Sequence, residues 1–147
     1  MLGRQTKQFA CFDGSSASTG PVGSVTNDTV MEQQEFSHDA VGAVIQMIAR
    51  QRYHDAPKTQ LGVLNNPSTS PKARVTYSAD WFDGVGRTIG SASYGTNGGS
   101  TFSRPSTIPT RSDTVLVSTT SYLWQGSAGN YFSGRVVAGS RPVFLRL

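Results

Sequence analysis

The sequence predicts an all-β chain built from antiparallel hairpins. Hydrophobic residues make up 36% of the chain and charged residues only 15%, while Gly, Ser and Thr are abundant. Helical proteins use more Ala, Leu, Glu and Lys, so this composition favours short strands and many turns. Segments with alternating apolar and polar side chains and a recurring Asp and Gly turn motif point the same way. The 147 residues are enough for one domain with a modest core.

Five segments have the composition or alternation of strands. They span residues 4–12, 22–37, 73–82, 87–94 and 114–124. In the last of them, Val115, Val117 and Thr119 alternate with the residues between them, which is the period of a strand with two unlike faces. Segments rich in Gly, Ser, Asn and Pro separate the strands, at 14–23, 65–71 and 95–100. We interpret these as loops that connect hairpins and predict no domain boundary in them.

The segment 38–55 allows two structures. Val41, Val44 and Ile48 follow helical spacing, so an amphipathic helix is one of them. Gly42 weakens such a helix by about 1 kcal/mol relative to Ala. The repeat described next favours a turn followed by a strand. We therefore expect a turn and a strand here, with one short helix near 40–50 as the alternative.

A motif recurs along the chain. "FSHDAVGAVI" at 36–45 and "WFDGVGRTI" at 81–89 both carry an aromatic residue, then Asp, two residues, Gly, one residue and β-branched residues. "LGRQT" at the start superposes on "VGRTI", and "QGSAGNYF" at 125–132 supplies a further Gly without the Asp. The aligned glycines are Gly3, Gly42, Gly86 and Gly129, at separations of 39, 44 and 43.

The motif has a physical explanation as a hairpin turn. Asp can accept hydrogen bonds from the backbone two residues on, and Gly supplies the positive φ that closes a tight turn. The following β-branched residues carry the returning strand, and aromatic residues before the Asp pack beside their counterparts on neighbouring strands. A single hairpin cannot cover its own apolar face, so such units have to stack.

"FDGVGR" at 82–87 is similar to the YD repeat of the Rhs and teneurin family, in which Tyr, Asp, two residues, Gly and Arg follow one another. Phe82 takes the place of the Tyr. "HDAVGA" at 38–43 matches less fully, "LGR" at 2–4 looks like half a copy, and "CFDG" retains Phe12 and Asp13. The resemblance extends over residues 1–130, and residues 131–147 form a divergent C-terminal tail.

The resemblance implies a structural role without catalysis. Family repeats wind into a spiralling sheet around a hollow, which in bacterial members holds a toxic C-terminal domain, and the parent proteins are secreted or on the cell surface. This chain would then form part of the wall of such a shell and would need no cofactor. Its partners would be the rest of the shell or the effector enclosed in it. The residues expected to form the repeat are Phe12, Asp13, Asp39, Gly42, Trp81, Phe82, Asp83, Gly86, Arg87 and Gly129. Phe36 is expected to pack with the aromatic residues among them.

The half copy at the start also predicts open strand edges. Unpaired edges recruit other strands. We therefore expect self-association through exposed strand edges in the isolated chain.

Two other classes of function stay open. Trp81 or Trp124 could stack on sugar rings in a carbohydrate-binding β-module, with glycans as partners. A small hydrolase would use His38 or His54, each of which precedes an Asp, and a hairpin that joined the two pairs would create a metal site. Packed aromatic residues and solvated turn residues are the interpretations we favour.

Several classes of partner and site do not fit the composition. The basic residues that give the net charge of +4 are spread along the chain, whereas nucleic-acid-binding proteins cluster them. The lone Cys11 excludes an internal disulfide framework and a thiolate-only metal cage. No apolar run approaches the ~20 residues of a membrane span, and the N-terminus has no apolar signal segment. Localisation is therefore not indicated by this chain itself.

Overall fold

Six antiparallel strands form one sheet in the computed structural model, which describes residues 3–12 and 24–122. The strands lie side by side in chain order, so each one pairs with the strands before and after it. This arrangement confirms the predicted all-β class. The strands are β1 (Lys7–Phe12), β2 (Thr29–His38), β3 (Val44–Arg52), β4 (Ala73–Phe82), β5 (Thr88–Gly95) and β6 (Leu116–Thr119).

Short and long connections alternate between the two ends of the sheet. Tight turns join β2 to β3 and β4 to β5 at one end, which we call the turn end. Long loops, 53–72 and 96–115, join β3 to β4 and β5 to β6 at the other end, the loop end. The chain therefore repeats a unit of strand, long loop, strand and tight turn.

The long loops cover one face of the sheet and create two core clusters. The first cluster lies under the loop 53–72 and consists of Val25, Val30, Leu64 and Ala73, with Phe9 packed against them. The second lies under the loop 96–115 and is centred on Ala79, Trp81 and Ala92. Phe102 and Ile108 from that loop pack on it. A hairpin cannot bury its own apolar face, and here the loops supply the cover.

Ring contacts organise the second cluster. The ring centroids of Tyr77 and Phe102 lie 5.2 Å apart with an interplanar angle of 28°, and those of Tyr94 and Phe102 lie 4.5 Å apart at 50°. Such offset or tilted pairs are favoured by the ring quadrupoles. Burial of the Tyr94 side chain raises the pKa of its hydroxyl group, which the charge of Arg104 partly opposes.

The segment 38–55 forms a turn and a strand, so the helix near 40–50 is wrong. β3 pairs with β2 on one side and with β4 on the other, which gives its backbone hydrogen-bond partners in both directions. This pairing outweighs the helical spacing of its apolar residues. The helical turn among the described residues is a three-residue 3-10 turn at Asn97–Gly99, inside the predicted loop 95–100.

The observed strand boundaries match the predicted ones best where a tight turn fixes the end of the strand. β4 spans the predicted residues 73–82, and β5 begins one residue after its predicted start. β2 begins at Thr29 rather than at residue 22, because a turn at 25–28 precedes it, with the Asp28 N–H donating to the Val25 carbonyl at 3.1 Å. The predicted turn 14–23 lies outside the described residues.

Candidate functional site

A carboxylate organises the turn between β2 and β3, residues 39–43, which we call the first Asp turn. Asp39 Oδ1 accepts hydrogen bonds from the backbone N–H groups of Val41 at 3.0 Å, Gly42 at 2.7 Å and Ala43 at 2.8 Å. The Asp39 N–H donates to the Ala43 carbonyl at 3.0 Å, and the Gly42 N–H donates to the Asp39 carbonyl at 3.2 Å. Gly42 has a φ of 101°, which an L-residue rarely adopts.

The turn between β4 and β5, residues 83–87, has the same geometry and is the second Asp turn. Asp83 Oδ1 accepts from the N–H groups of Val85 at 3.1 Å and Arg87 at 2.9 Å. The Asp83 N–H donates to the Arg87 carbonyl at 2.9 Å, and the Gly86 N–H donates to the Asp83 carbonyl at 3.0 Å. Gly86 has a φ of 84°. Two segments 44 residues apart therefore use the same atoms to close two hairpins at the turn end.

Together, the sheet and the two Asp turns define an antiparallel all-β protein in which two hairpins close in the same way. The unit runs from the glycine of one Asp turn to the aspartate of the next. Gly3 precedes β1 as Gly42 precedes β3 and Gly86 precedes β5. Asp13 and Gly129, which the sequence also assigned to the repeat, lie outside the described residues.

An arginine contact at the turn end escaped the sequence reasoning. Arg4 donates from its two terminal nitrogens to the carbonyls of Asp39 at 2.9 Å and Ala40 at 3.1 Å. The residue after Gly3 thus caps the first Asp turn from the neighbouring unit. The signal was the match of "LGR" to "VGR", which indicated a shared backbone position but not the contact across the sheet.

Arg87, at the matching position of the second Asp turn, links its own turn to the chain after β6. Its Nε donates to Asp83 Oδ2 at 2.7 Å. Its guanidinium carbon lies 4.2 Å from the ring centroid of Tyr122, whose hydroxyl donates to the Thr88 carbonyl at 3.2 Å. Both arginines therefore join an Asp turn to a neighbouring strand or segment.

The hydrogen bonds of the second Asp turn lower the pKa of Asp83 below its ordinary value of 3.8. The backbone N–H of Arg87 contributes most, and partial desolvation opposes it, while the Arg87 side chain and the Val85 N–H add to the lowering. A carboxyl group with a lowered folded-state pKa stabilises the fold above its unfolded pKa. That stabilisation disappears as the pH falls through the folded-state pKa.

We therefore expect Asp83→Asn to lower the free energy of unfolding, relative to the wild type, by more at pH 7 than at pH 2.5. Urea unfolding at both pH values measures this difference through the midpoints. At pH 7 the wild type keeps the ionised carboxylate and its bond to Arg87, whereas at pH 2.5 protonation removes most of that advantage. An equal difference in midpoint at the two pH values would contradict the assigned role of the carboxylate.

In the first Asp turn, we expect Asp39→Ala to lower the free energy of unfolding by about 2 kcal/mol, because three N–H groups lose one shared acceptor. Asp39→Asn keeps Oδ1 and should lose about half as much. Asp55→Ala, at an exposed position in the loop 53–72, is the control and should leave stability unchanged. Equal losses for Asp39→Ala and Asp39→Asn would show that Oδ1 does not hold the turn.

The predicted aromatic residues of the repeat do not form a single ladder. Trp81 is 5% exposed and belongs to the second core cluster. Phe36 is half-buried and lies opposite Met47, while Phe82 is half-buried and follows Trp81 on the other face of β4. Phe12, at the end of β1, is 62% exposed rather than packed. Among residues 3–12 and 24–122, β1 pairs with β2 alone, so the described part of the chain places no strand on its other side against which the ring could pack.

Trp81 is also unavailable to a sugar ring. Its Nε1 donates to the Pro105 carbonyl at 3.3 Å, and the Arg104 guanidinium carbon lies 4.8 Å from its ring centroid. The loop 96–115 therefore occupies the surface that a glycan would need. Trp124 lies outside the described residues.

The two histidines are held at opposite ends of the sheet. His38 ends β2 at the turn end, whereas His54 is exposed at the start of the long loop 53–72. β3, which separates them, has nine residues and spans about 30 Å at ~3.3 Å per residue. The hairpin therefore separates the two His and Asp pairs instead of joining them. Within 3–12 and 24–122, the structure holds no cluster of three or more side chains suited to binding a metal.

Comparison with known proteins finds no family model, curated protein or solved structure that matches the chain. Over the described ranges, the structure contains no helix with the length and apolar character needed to cross a membrane.

Proposed function

We propose that this chain is a structural, non-catalytic segment of a repeat-built β-wall of the YD and Rhs type. Its partners are then the neighbouring parts of the same wall or an enclosed effector. The observation that carries the proposal is the equivalence of the two Asp turns, which share an acceptor atom, a backbone bonding pattern and a left-handed glycine.

The chemistry of the turns supports architecture over catalysis. Asp39 Oδ1 is occupied by three backbone N–H groups of its own turn, and both oxygens of Asp83 are bonded within theirs. A general base needs a free lone pair that faces a substrate. Here Asp39 Oδ1 and both oxygens of Asp83 hold the chain reversals instead.

The topology supports growth by repetition. The order of the strands in the sheet follows their order in the chain, and every long loop of the described residues lies at the loop end. The loop 53–72 covers residues of β1, β2 and β4, and the loop 96–115 covers residues of β4 and β5. Each loop therefore lies over its own two-strand unit and the unit that precedes it. Each added unit can therefore pair with the last strand and place its own loop over the same face. Repeat proteins gain stability through such contacts between neighbours.

The test is the insertion of a second copy of residues 40–83 directly after Asp83. In a repeat-built sheet the insert folds as two more strands, so the urea m-value and the strand signal in circular dichroism both rise while unfolding stays cooperative. An insert of the same 44 residues in scrambled order is the control. If limited proteolysis removes the native copy as readily as the scrambled one, the chain is not built from exchangeable units.

A further inference from the structure

β1 is the first strand of the sheet and offers backbone groups on its outer side. The Phe36 N–H donates to the Thr6 carbonyl at 2.9 Å, and Lys7 lies opposite Glu35 in the next pair. In an antiparallel ladder, bonded and non-bonded pairs alternate, so the N–H and C=O groups of Lys7 and Phe9 point away from β2. Over the described residues, β1 pairs with β2 alone.

A groove of about 770 Å³ runs beside these groups. Lys7 and Phe9 of β1 line it together with Thr6, which precedes the strand. The other walls come from residues 24–26, 61–63, Asn65 and Pro71. Leu61 and Val63 in these walls are 41% and 47% exposed and lie two positions apart, so both present apolar surface. Exposed apolar side chains that line a groove are available to contact the apolar side chains of an occupant.

The apolar wall of the groove is held in place by the core beneath it. Leu64, next to Val63, is 2% exposed in the first core cluster, and its N–H donates to Gln33 Oε1 at 2.9 Å. The Gly62 N–H donates to the Asp28 carbonyl at 2.9 Å. Leu61 and Val63 are thus fixed on the groove side of a loop whose other side is buried.

The groove is basic. Among the described residues of its lining, Lys7 is the charged one and no carboxylate is present. Glu35, opposite Lys7 on β2, is already bonded to Arg50 and to Gln33 Nε2. An occupant that carries a carboxylate therefore complements Lys7.

We propose that the outer edge of β1 and this groove bind an extended peptide strand of a partner protein, with alternating apolar side chains and a carboxylate on the face towards the groove. Its backbone bonds to the N–H and C=O groups of Lys7 and Phe9, and its apolar side chains contact Leu61 and Val63. Strand addition of this kind draws its affinity from main-chain bonds and its specificity from alternate side chains.

The added strand runs antiparallel to β1. β3 and β5, which occupy the same place in their units, are flanked on the corresponding side by the antiparallel strands β2 and β4. The inference rests on the proposed function for this direction alone. The edge and the groove exist whether or not the chain belongs to a larger wall.

The first experiment measures binding of the fluorescein-labelled peptide TVTDTVT, which places Val, Asp and Val on one face. We expect saturable binding, weakened about tenfold or more for TVTKTVT, whose lysine meets Lys7. The peptide TVTDTVT with N-methyl groups on its Val and Asp residues lacks the N–H groups that face β1, so it cannot complete the backbone bonds and should not bind. Absence of saturable binding of TVTDTVT to the folded chain overturns the proposal.

Two variants of Lys7 separate the contribution of its backbone N–H to peptide binding from the contribution of its side-chain charge. Lys7→Pro removes the outward N–H without touching the ladder to β2, so it should abolish binding. Lys7→Ala keeps the N–H and should make TVTDTVT and TVTKTVT bind alike. In the wild type, TVTDTVT should also slow amide exchange at Lys7 and Phe9 while leaving the exchange rate at Gln8, which already bonds β2, unchanged.

Some outcomes exclude the proposal even if the chain is a repeat segment. Binding of TVTDTVT that survives Lys7→Pro, with unchanged exchange at Lys7 and Phe9, places the peptide elsewhere. Concentration-dependent dimerisation that Lys7→Pro abolishes, without peptide binding, assigns the groove to a second copy of this chain. The insertion of residues 40–83 reports on the repeat and is unaffected by either result.

Discussion

Arg52→Met is expected to lower the free energy of unfolding by about 3 kcal/mol. Arg52, at the end of β3, is 6% exposed and donates to three backbone carbonyls. The distances are 2.7 Å from Nε to Val30, 3.1 Å from one terminal nitrogen to Pro57 and 2.6 Å from the other to Gln60. Met fills the space of the aliphatic stem but removes the donor of all three of these bonds, and the Pro57 carbonyl keeps only the Gln60 N–H at 3.1 Å.

The size of this effect follows from what the three carbonyls hold. Pro57 and Gln60 lie in the loop 53–72, which carries Leu64 into the first core cluster. Arg52 ties that loop to β2, so its loss loosens the cover as well as the hydrogen bonds. Urea unfolding measures the loss.

The control for Arg52 is Arg74→Met, since Arg74 lies opposite Gln51 on β4 and is exposed. This change should alter the free energy of unfolding by less than about 0.5 kcal/mol. Arg52→Lys should still cost about 2 kcal/mol, because an ammonium group cannot reach three carbonyls in a fixed fork. A loss below about 1 kcal/mol for Arg52→Met would mean that other contacts hold the loop.

The second large effect is expected at Gly90, where Gly90→Val should cost about 3 kcal/mol and Gly90→Ala about 2 kcal/mol. A Cβ atom at this position would lie 2.6 Å from Ile108 Cδ1 and 2.8 Å from Ile108 Cγ1. Both distances are far below ordinary contact. Gly90 lies opposite Trp81, so Ile108 reaches the second core cluster only across a residue without a side chain.

A double-mutant cycle tests the cause of that loss. Ile108→Ala alone should cost about 2 to 3 kcal/mol, because it leaves a cavity in the second cluster. Combined with Gly90→Ala, it should cost at least about 1 kcal/mol less than the sum of the two single changes, since the smaller side chain removes the clash. Additive losses in thermal or urea unfolding would contradict close contact between the two residues.

The parts of the structure that the sequence predicts are those set by local chemistry. The Asp turns involve residues at most four positions apart, so Asp39 with Gly42 and Asp83 with Gly86 mark them directly. β4 is equally readable, because a tight turn fixes its end at Phe82 and alternation covers its length. The all-β class follows from the same local signals.

The remaining features depend on contacts between distant residues. Nothing near Arg52 in sequence indicates that it bonds Val30, 22 positions away. The sequence around Gly90 does not indicate that a side chain there would collide with Ile108, 18 positions away. The exposure of Phe12 and the burial of Trp81 follow from which strand is at the edge and which face the long loops cover. Neither fact is written in a local pattern.

The YD and Rhs assignment remains a proposal on the same grounds. The local motif resembles the repeat of that family, but a wall is a property of many units packed in order. The described residues contain two complete Asp turns, and the equivalence of these two is the part of the account on which the repeat interpretation depends.

Exchange of the two Asp turns tests that equivalence most directly. The double variant Ala40→Gly with Ala43→Arg gives the first turn the sequence of the second, DGVGR. The double variant Gly84→Ala with Arg87→Ala gives the second turn the sequence of the first, DAVGA. If the turns are one motif, each exchanged chain should unfold cooperatively, with a urea midpoint close to that of the wild type and well above that of Asp39→Ala. A midpoint for either exchanged chain as low as that of Asp39→Ala would contradict the shared motif.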